Sequence, residues 1–397
     1  MYLPPIISQD QSFLFDSQKN CDSSKKAGCA TLGILVVWNI FYNNYKKKEK
    51  EDLPLKALRK LASGFGNMAL CSVKKPTAEE NEVIIDVLYS GICGSDIHAL
   101  KGEYNKKIPL TLGHEFIGIV CETGDKVTDL QIGDRVVSET TYEVCEICPY
   151  CLREEYNLCS ERKGLGTQVD GSFANFVSAK AARCHKLPPE VSDEAAALME
   201  PLACCIHAAM EKTSIRSDEK IAVFGPGPIG VLLALVVQSL GAEVTLIGIS
   251  KDQKRLAKAN DLGLPQVIDS QVTKLSTLVS DQTDGHGFDQ VFECSGSPKA
   301  LQQALEIVKK KGTVVQEGLF AQNPVPLDMS LLLNKEIQLI GSRTQKPSSW
   351  KKTLEWLTTA NVDPSLIVTN ILPLSEWEKG FELAMNGDEL KILLKPE

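Results

Sequence analysis

The sequence predicts an α/β protein in two parts: a β-rich region with many turns, then a doubly wound parallel sheet of six strands. Two observations predict it. Over residues 219 to 341, apolar strands alternate with helical stretches; the strand candidates are "KIAVFG", "AEVTLIGI", "QVID", "FDQVFECSG", "GTVVQEG" and "EIQLIGS". Such alternation places helices on both faces of a mostly parallel sheet. Over residues 56 to about 190, short β-type runs are punctuated by Gly and Asp instead. There "EVIIDVLYSGIC" (82–93) alternates apolar and polar residues before a turn.

The remaining elements follow in order. "DEAAALMEPLACCIHAAMEK" has helical spacing, with Ser192 or Asp193 as its N-cap. After residue 342 come two helix-like stretches and the terminal strand "KILLKP". The 397 residues suffice for two to three domains at about 150 residues each. Apolar residues at 43% and charged residues at 24% exclude a disordered or multi-span membrane chain. A net charge of −8 with no long basic run past residue 60 argues against a nucleic-acid partner. Thirteen cysteines, an odd number, cannot all pair within one chain. Their uneven placement points to a metal site plus free thiols in a reducing compartment, hence a cytoplasmic protein.

Residues 1–55 do not share this pattern and are expected to form a poorly ordered extension. Ala27 to Tyr42 is an apolar run of sixteen residues with lysines on both flanks. It falls short of the roughly 17 residues that a bilayer span needs. Membrane association through this run is the alternative reading.

The loop "AVFGPGPIG" sets Gly225, Gly227 and Gly230 in G-x-G-x-x-G spacing, between a buried strand and an apolar helix. In that context Gly225 permits a tight turn, Gly227 lets a pyrophosphate approach, and Gly230 lets helix and sheet pack closely. Pro228 and Ile229 open the helix, whose N-terminus faces the phosphates. A carboxylate about 20 residues on, at the end of the second strand, normally binds the ribose of NAD. Gly248, Ile249 and Ser250 stand there instead. Ser250, Lys251 and Arg255 are candidates for accepting a 2′-phosphate, which favours NADP over NAD; Asp252 is the counterweight, able to reach a ribose hydroxyl.

"CEICPYCLREEYNLC" carries Cys145, Cys148, Cys151 and Cys159. Four clustered thiolates close a tetrahedral zinc site with no open position, so its role is structural. A second set is scattered: Cys93, Ser95 and His98 in "GICGSDIH", His114 and Glu115 in "LGHEF", and Glu200 in "LMEPLACC". A catalytic zinc takes three protein ligands and keeps one position open. Cys93, His114 and Glu115 supply that set, with Glu200 near the open position. Cys204 and Cys205 are read as core thiols and His207 as core or outer support. His185 and His286 are read as loop residues, and the lysines at 309 to 311 as a solvated helix end.

These motifs occur in the order found in zinc-dependent medium-chain dehydrogenases. The chain from about residue 56 resembles the branch holding sorbitol and threonine 3-dehydrogenases. The resemblance implies a GroES-like catalytic domain over 56–203 and 343–397, a Rossmann domain over 204–342, and a homodimer or homotetramer. It implies zinc on Cys93, His114 and Glu115, and a proton relay through Ser95 and His98. The activity implied is reversible hydride transfer between a secondary alcohol, of sugar-alcohol type, and NAD(P). L-Threonine 3-dehydrogenase is the alternative within enzymes; a non-catalytic, zinc-stabilised scaffold is the alternative outside them. The extension and the missing ribose carboxylate depart from the family pattern.

Overall fold

The structure is a computed structural model that describes residues 55–103, 107–321 and 324–397. The N-terminal extension through Pro54, with its 27–42 apolar run, lies outside the described residues. Among the described residues no helix is long and apolar enough to cross a membrane.

All six predicted strands of the parallel sheet form. Their spatial order is Gln266–Asp269, Glu243–Gly248, Lys220–Phe224, Phe288–Glu293, Val308–Gln316 and Gln338–Gly341, with every pairing parallel. Chain order reverses between Lys220–Phe224 and Phe288–Glu293. Ligands of open α/β sheets bind at such a switch point, outside the carboxyl ends of the strands. Helix Pro228–Ser239 is buried on nearly every side, from Gly230 to Val237. It lies between the sheet and helix Met199–Met210, which explains why its sequence is apolar all round.

The β-rich part is built on a seven-stranded sheet. Glu82–Gly91 pairs with Glu115–Thr123, with Phe176–Lys180 and with the C-terminal strand Lys391–Lys395. The chain's last strand therefore seals against one of its first. Val83, Ile84 and Ile85 are all fully buried, so this strand is covered on both faces where the sequence alternation implied one. A small sheet joins Met68–Ser72, Lys56–Lys60 and Leu110–Thr111, and a two-stranded ribbon, Thr141–Glu143 with Lys163–Gly164, carries the cysteine lobe.

Three local readings need correction. The predicted long helix after residue 192 is two helices, Asp193–Ala197 and Met199–Met210, broken at Leu198, whose ψ of 1° leaves the helical range. Ser192 caps the first, its Oγ accepting from the Ala195 N–H at 3.2 Å. Pro201 sits in the first turn of the second, where no N–H is required. The lysines at 309 to 311 are not a helix end. Helix Pro298–Ile307 stops before them and they begin strand Val308–Gln316, where the register shifts and Lys311 has φ 60°. Lys309 pairs with Asp289, and Lys311 lies 3.5 Å from Glu336. His185 belongs to strand Cys184–Lys186 and stacks on Trp350, ring centroids 5.4 Å apart. His286 is an exposed loop residue, as read.

Candidate active site

Strand pairing assembles the scattered motifs. Glu82–Gly91 ends opposite the start of Glu115–Thr123, with Gly91 facing Glu115. A Cβ on Gly91 would come within 2.4 Å of the Glu115 carboxylate, so only glycine lets that side chain cross the strand end. Two residues on, Cys93 caps helix Gly94–Lys101, its N–H donating to Asp96 Oδ2 at 3.1 Å. The result is that donor atoms of Cys93, His114 and Glu115 lie within 4.8 Å of one another.

The electrostatics suit a cation. Burial, then the charges of Glu115 and Asp96, pushes the Cys93 thiol up to about 12; a coordinated divalent ion would deprotonate it outright. Glu115 is held by Lys391, whose Nζ reaches Oε2 at 2.6 Å and the Ile92 carbonyl at 3.2 Å. His114 Nδ1 lies 3.9 Å from Asp96 Oδ1, beyond direct hydrogen-bond reach. Glu200 stands outside the close triad. Gln345 Nε2 donates to its Oε1 at 2.9 Å, and to Thr140 Oγ1 at 3.2 Å. Burial, against the pull of His114, brings the Glu200 carboxyl up to about 7. Sulfur, imidazole and carboxylate donors with few compensating cations fit a divalent ion of zinc type.

Ser95 and His98 share helix Gly94–Lys101 three residues apart, hence one face. His98 Nδ1 lies 2.6 Å from Glu103 Oε2, and both side chains reach solvent, at 31% and 48% exposure.

The four lobe cysteines also gather, their sulfurs within 4.8 Å of one another. Backbone N–H groups point at the sulfurs: Cys148 N–H donates to Cys145 Sγ at 3.3 Å and Cys151 N–H to Cys148 Sγ at 3.4 Å. The N–H groups of Ile147 and Cys148 bring the Cys145 thiol down to about 7. Such a nest of donors fits a bound zinc ion closed in by four thiolates.

The glycine loop leaves strand Lys220–Phe224 with Gly225 at φ 96°. A Cβ on Gly230 would meet the Gly225 carbonyl at 1.9 Å, whereas one on Gly227 would meet nothing within 4 Å. Close packing at one glycine and open space at the other fit a dinucleotide pyrophosphate at the N-terminus of helix Pro228–Ser239. Ile229 occupies the second position of that helix. Ser250 follows the end of strand Glu243–Gly248; its hydroxyl donates to Asp269 Oδ2 at 2.6 Å. Lys251 is exposed, and Arg255 Nε donates to the Glu389 carbonyl at 2.8 Å.

Comparison with known proteins decides the family. Residues 79–189 match the alcohol dehydrogenase GroES-like domain, and residues 228–359 match the zinc-binding dehydrogenase model. Sorbitol dehydrogenase of Halalkalibacterium halodurans is 46% identical over 342 residues, covering 86% of this chain and 99% of that protein. The chain belongs to the zinc-binding alcohol dehydrogenase family. D-arabitol-phosphate dehydrogenase of Enterococcus avium is 42% identical, covering 86% of this chain and 97% of that one. L-threonine 3-dehydrogenase of Bacillus velezensis is 33% identical, over 86% and 99%. A crystal structure of a zinc-binding dehydrogenase from Sinorhizobium meliloti bound to NADP has a TM-score of 0.77 at 27% identity, over 86% of this chain and 99% of that one. The protein is thus an α/β dehydrogenase, an oxidoreductase acting on CH–OH donors.

Three residues that contact the predicted site residues escaped sequence reasoning: Lys391 on Glu115, Gln345 on Glu200 and Asp269 on Ser250. Lys391 opens the terminal strand KILLK and Lys395 closes it, and nothing in the sequence marks the first of the two as the buried one.

Proposed function

We propose that this dehydrogenase oxidises a secondary hydroxyl of a sugar alcohol, or of its phosphate, and reduces the matching ketone, with NAD(P) as hydride carrier. The observation that carries the reading is the 46% identity to a sorbitol dehydrogenase, extending over the segments that bring Cys93, His114 and Glu115 together. We assign the catalytic zinc to those three residues and the structural zinc to Cys145, Cys148, Cys151 and Cys159.

When bound, the zinc supplies a Lewis acid at the substrate oxygen, and the dinucleotide supplies the hydride acceptor. The chain's own residues do the rest. Ser95 takes the hydroxyl proton, and His98 on the same helix face passes it to solvent, with Glu103 holding the ring. Glu200, held by Gln345, orients a substrate hydroxyl beside the donor triad. Gly225, Gly227, Pro228, Ile229 and Gly230 seat the pyrophosphate, and Ser250 and Lys251 line the ribose end. A dinucleotide seated on that glycine loop would accept the hydride of the carbinol carbon, while Ser95 takes the proton of its oxygen.

We assign residues 56–203 and 343–397 to the catalytic part and 204–342 to cofactor binding, with helix Met199–Met210 running through the junction. A homodimer or homotetramer is supported by the outer strand Gln338–Gly341. Among the described residues nothing pairs with its free edge, and Leu333 and Leu339 nearby are 75% and 39% exposed. A reducing, cytoplasmic setting accords with the described cysteines, which form no disulfide with one another.

The test is a panel of sugar alcohols, their phosphates, butanediol and L-threonine, each with both nicotinamide cofactors, followed at 340 nm. The expected result is the highest kcat/KM with a polyol or its phosphate. Fastest turnover of threonine would overturn the polyol assignment.

A further inference from the structure

The charge pattern of the sequence favours a 2′-phosphate at the ribose end, because the second parallel strand ends without a carboxylate. The structure brings one there from the third strand. Strand Gln266–Asp269 pairs with Glu243–Gly248 so that Asp269 lies beside Gly248. A Cβ on Gly248 would sit 2.9 Å from Pro226 Cγ, so this strand end packs directly against the glycine loop. Ser250, twenty residues after Gly230, occupies the position from which a ribose contact is made. We propose that Asp269, acting through Ser250, selects NAD over NADP.

Donors and acceptors decide the preference. An ionised carboxylate only accepts hydrogen bonds, so across the 2.6 Å contact Ser250 must be the donor. That commits the one hydroxyl proton. Ser250 Oγ, half-buried, is then left as an acceptor only, beside a negative charge. A ribose 2′-hydroxyl can donate to it; a 2′-phosphate, itself acceptor-only and anionic, cannot, and meets repulsion. Asp269 is fixed in this role, since its Oδ1 accepts from the Gln271 N–H at 2.8 Å and Gln271 Oε1 accepts from the Ser250 N–H at 3.1 Å.

Two of the basic residues on the following helix face elsewhere. Arg255 spends Nε on the Glu389 carbonyl at 2.8 Å, and Lys254 Nζ pairs with Asp388 at 2.6 Å. Asp252 is taken up in the turn, accepting from the Ile249 N–H at 3.1 Å. Lys251 stands exposed on the same turn, its ammonium opposing the charge of Asp269.

The selection rests on the dinucleotide reading above, so it is tested by binding rather than turnover. NADH and NADPH are titrated by fluorescence and calorimetry into the wild-type protein, Asp269→Asn, Ser250→Ala and Lys251→Ala, with thermal melts to confirm folding. Wild type is expected to bind NADH at least tenfold more tightly than NADPH. Asp269→Asn should narrow that ratio at least fivefold, chiefly by tightening NADPH. Ser250→Ala should weaken NADH severalfold, and Lys251→Ala should leave the order of preference unchanged. Tighter NADPH binding by wild type, or an unchanged ratio in Asp269→Asn together with unchanged NADH affinity in Ser250→Ala, overturns the proposal. Binding of neither dinucleotide overturns it along with the cofactor reading. NADH preference in a protein that oxidises no polyol supports it while refuting only the substrate assignment.

Discussion

Lys391 Nζ lies 2.6 Å from Glu115 Oε2, and each side chain is only 2% exposed. The pair joins strands 276 residues apart in sequence, at the side of the donor triad. Removing one member of a buried pair strands the other, a loss of about 3–5 kcal/mol. Lys391→Met is therefore expected to lower unfolding free energy by about that much in denaturant titrations at matched zinc content, with Lys391→Arg recovering most of it. Equal stability of Lys391→Met and wild type would show that the contact contributes nothing.

Cys93→Ser tests the donor triad. Zinc per chain, measured by atomic emission on purified protein, should fall from two to one. Turnover should fall by three orders of magnitude or more, while the circular dichroism spectrum stays that of wild type. Retained activity would remove Cys93 from the metal site.

Cys148→Ser tests the lobe. One zinc should again be lost, but from the structural site, because the nest of N–H groups cannot hold the ion on three thiolates as firmly. The thermal midpoint should drop by several degrees. A zinc count of two with an unchanged midpoint would rule out a metal role for Cys148.

Glu317 predicts a pH dependence of stability. Burial, against help from the Cys294 thiol at 3.7 Å, raises its carboxyl to about 7 from an ordinary 4.5. The folded state thus holds a proton that the unfolded chain releases. The stabilisation is complete below the unfolded value, fades as pH rises, and is gone above about 7. Glu317→Gln should abolish this slope and gain on wild type, by as much as about 3 kcal/mol, between pH 4.5 and 7.5. Parallel stability curves for the two proteins would show that Glu317 ionises normally.

Glu211 runs the other way. Burial opposes its ionisation, but hydrogen bonds from His207, Ser348, Ser349 and Lys352 outweigh that and hold its carboxyl well below the usual range. The stability it lends is present above the unfolded value and lost only in strong acid. Glu211→Gln should destabilise the protein at pH 7, with the deficit shrinking toward pH 3 in denaturant titrations. A constant deficit would mean that lost packing, not charge, is responsible.

Much of the site was legible because its chemistry is local. "GPGPIG" and "CEICPYCLREEYNLC" each hold their ligand-binding geometry within one loop, and the strand before "GPGPIG" is apolar throughout. "GICG" and "LGHEF" could be paired by donor chemistry, since Cys93, His114 and Glu115 make up a catalytic zinc set; the physical link is the Gly91–Glu115 register, which no periodicity reveals. Strand Val368–Pro373 was missed because a register shift after Val368 and its mixed, half-exposed side chains hide any alternation. Asp269, Gln345 and Lys391 were invisible for a common reason. Each serves a residue at least 19 positions away, so its purpose exists only after folding.

The cysteine lobe reaches inward. Asn157, between Cys151 and Cys159, donates its Nδ2 to the Arg343 carbonyl at 2.8 Å, two residues before the glutamine that holds Glu200. The lobe is thus a strut for the segment returning from the parallel sheet. A chelator or oxidant that strips those peripheral thiolates would blunt catalysis from a distance, without touching a reacting atom.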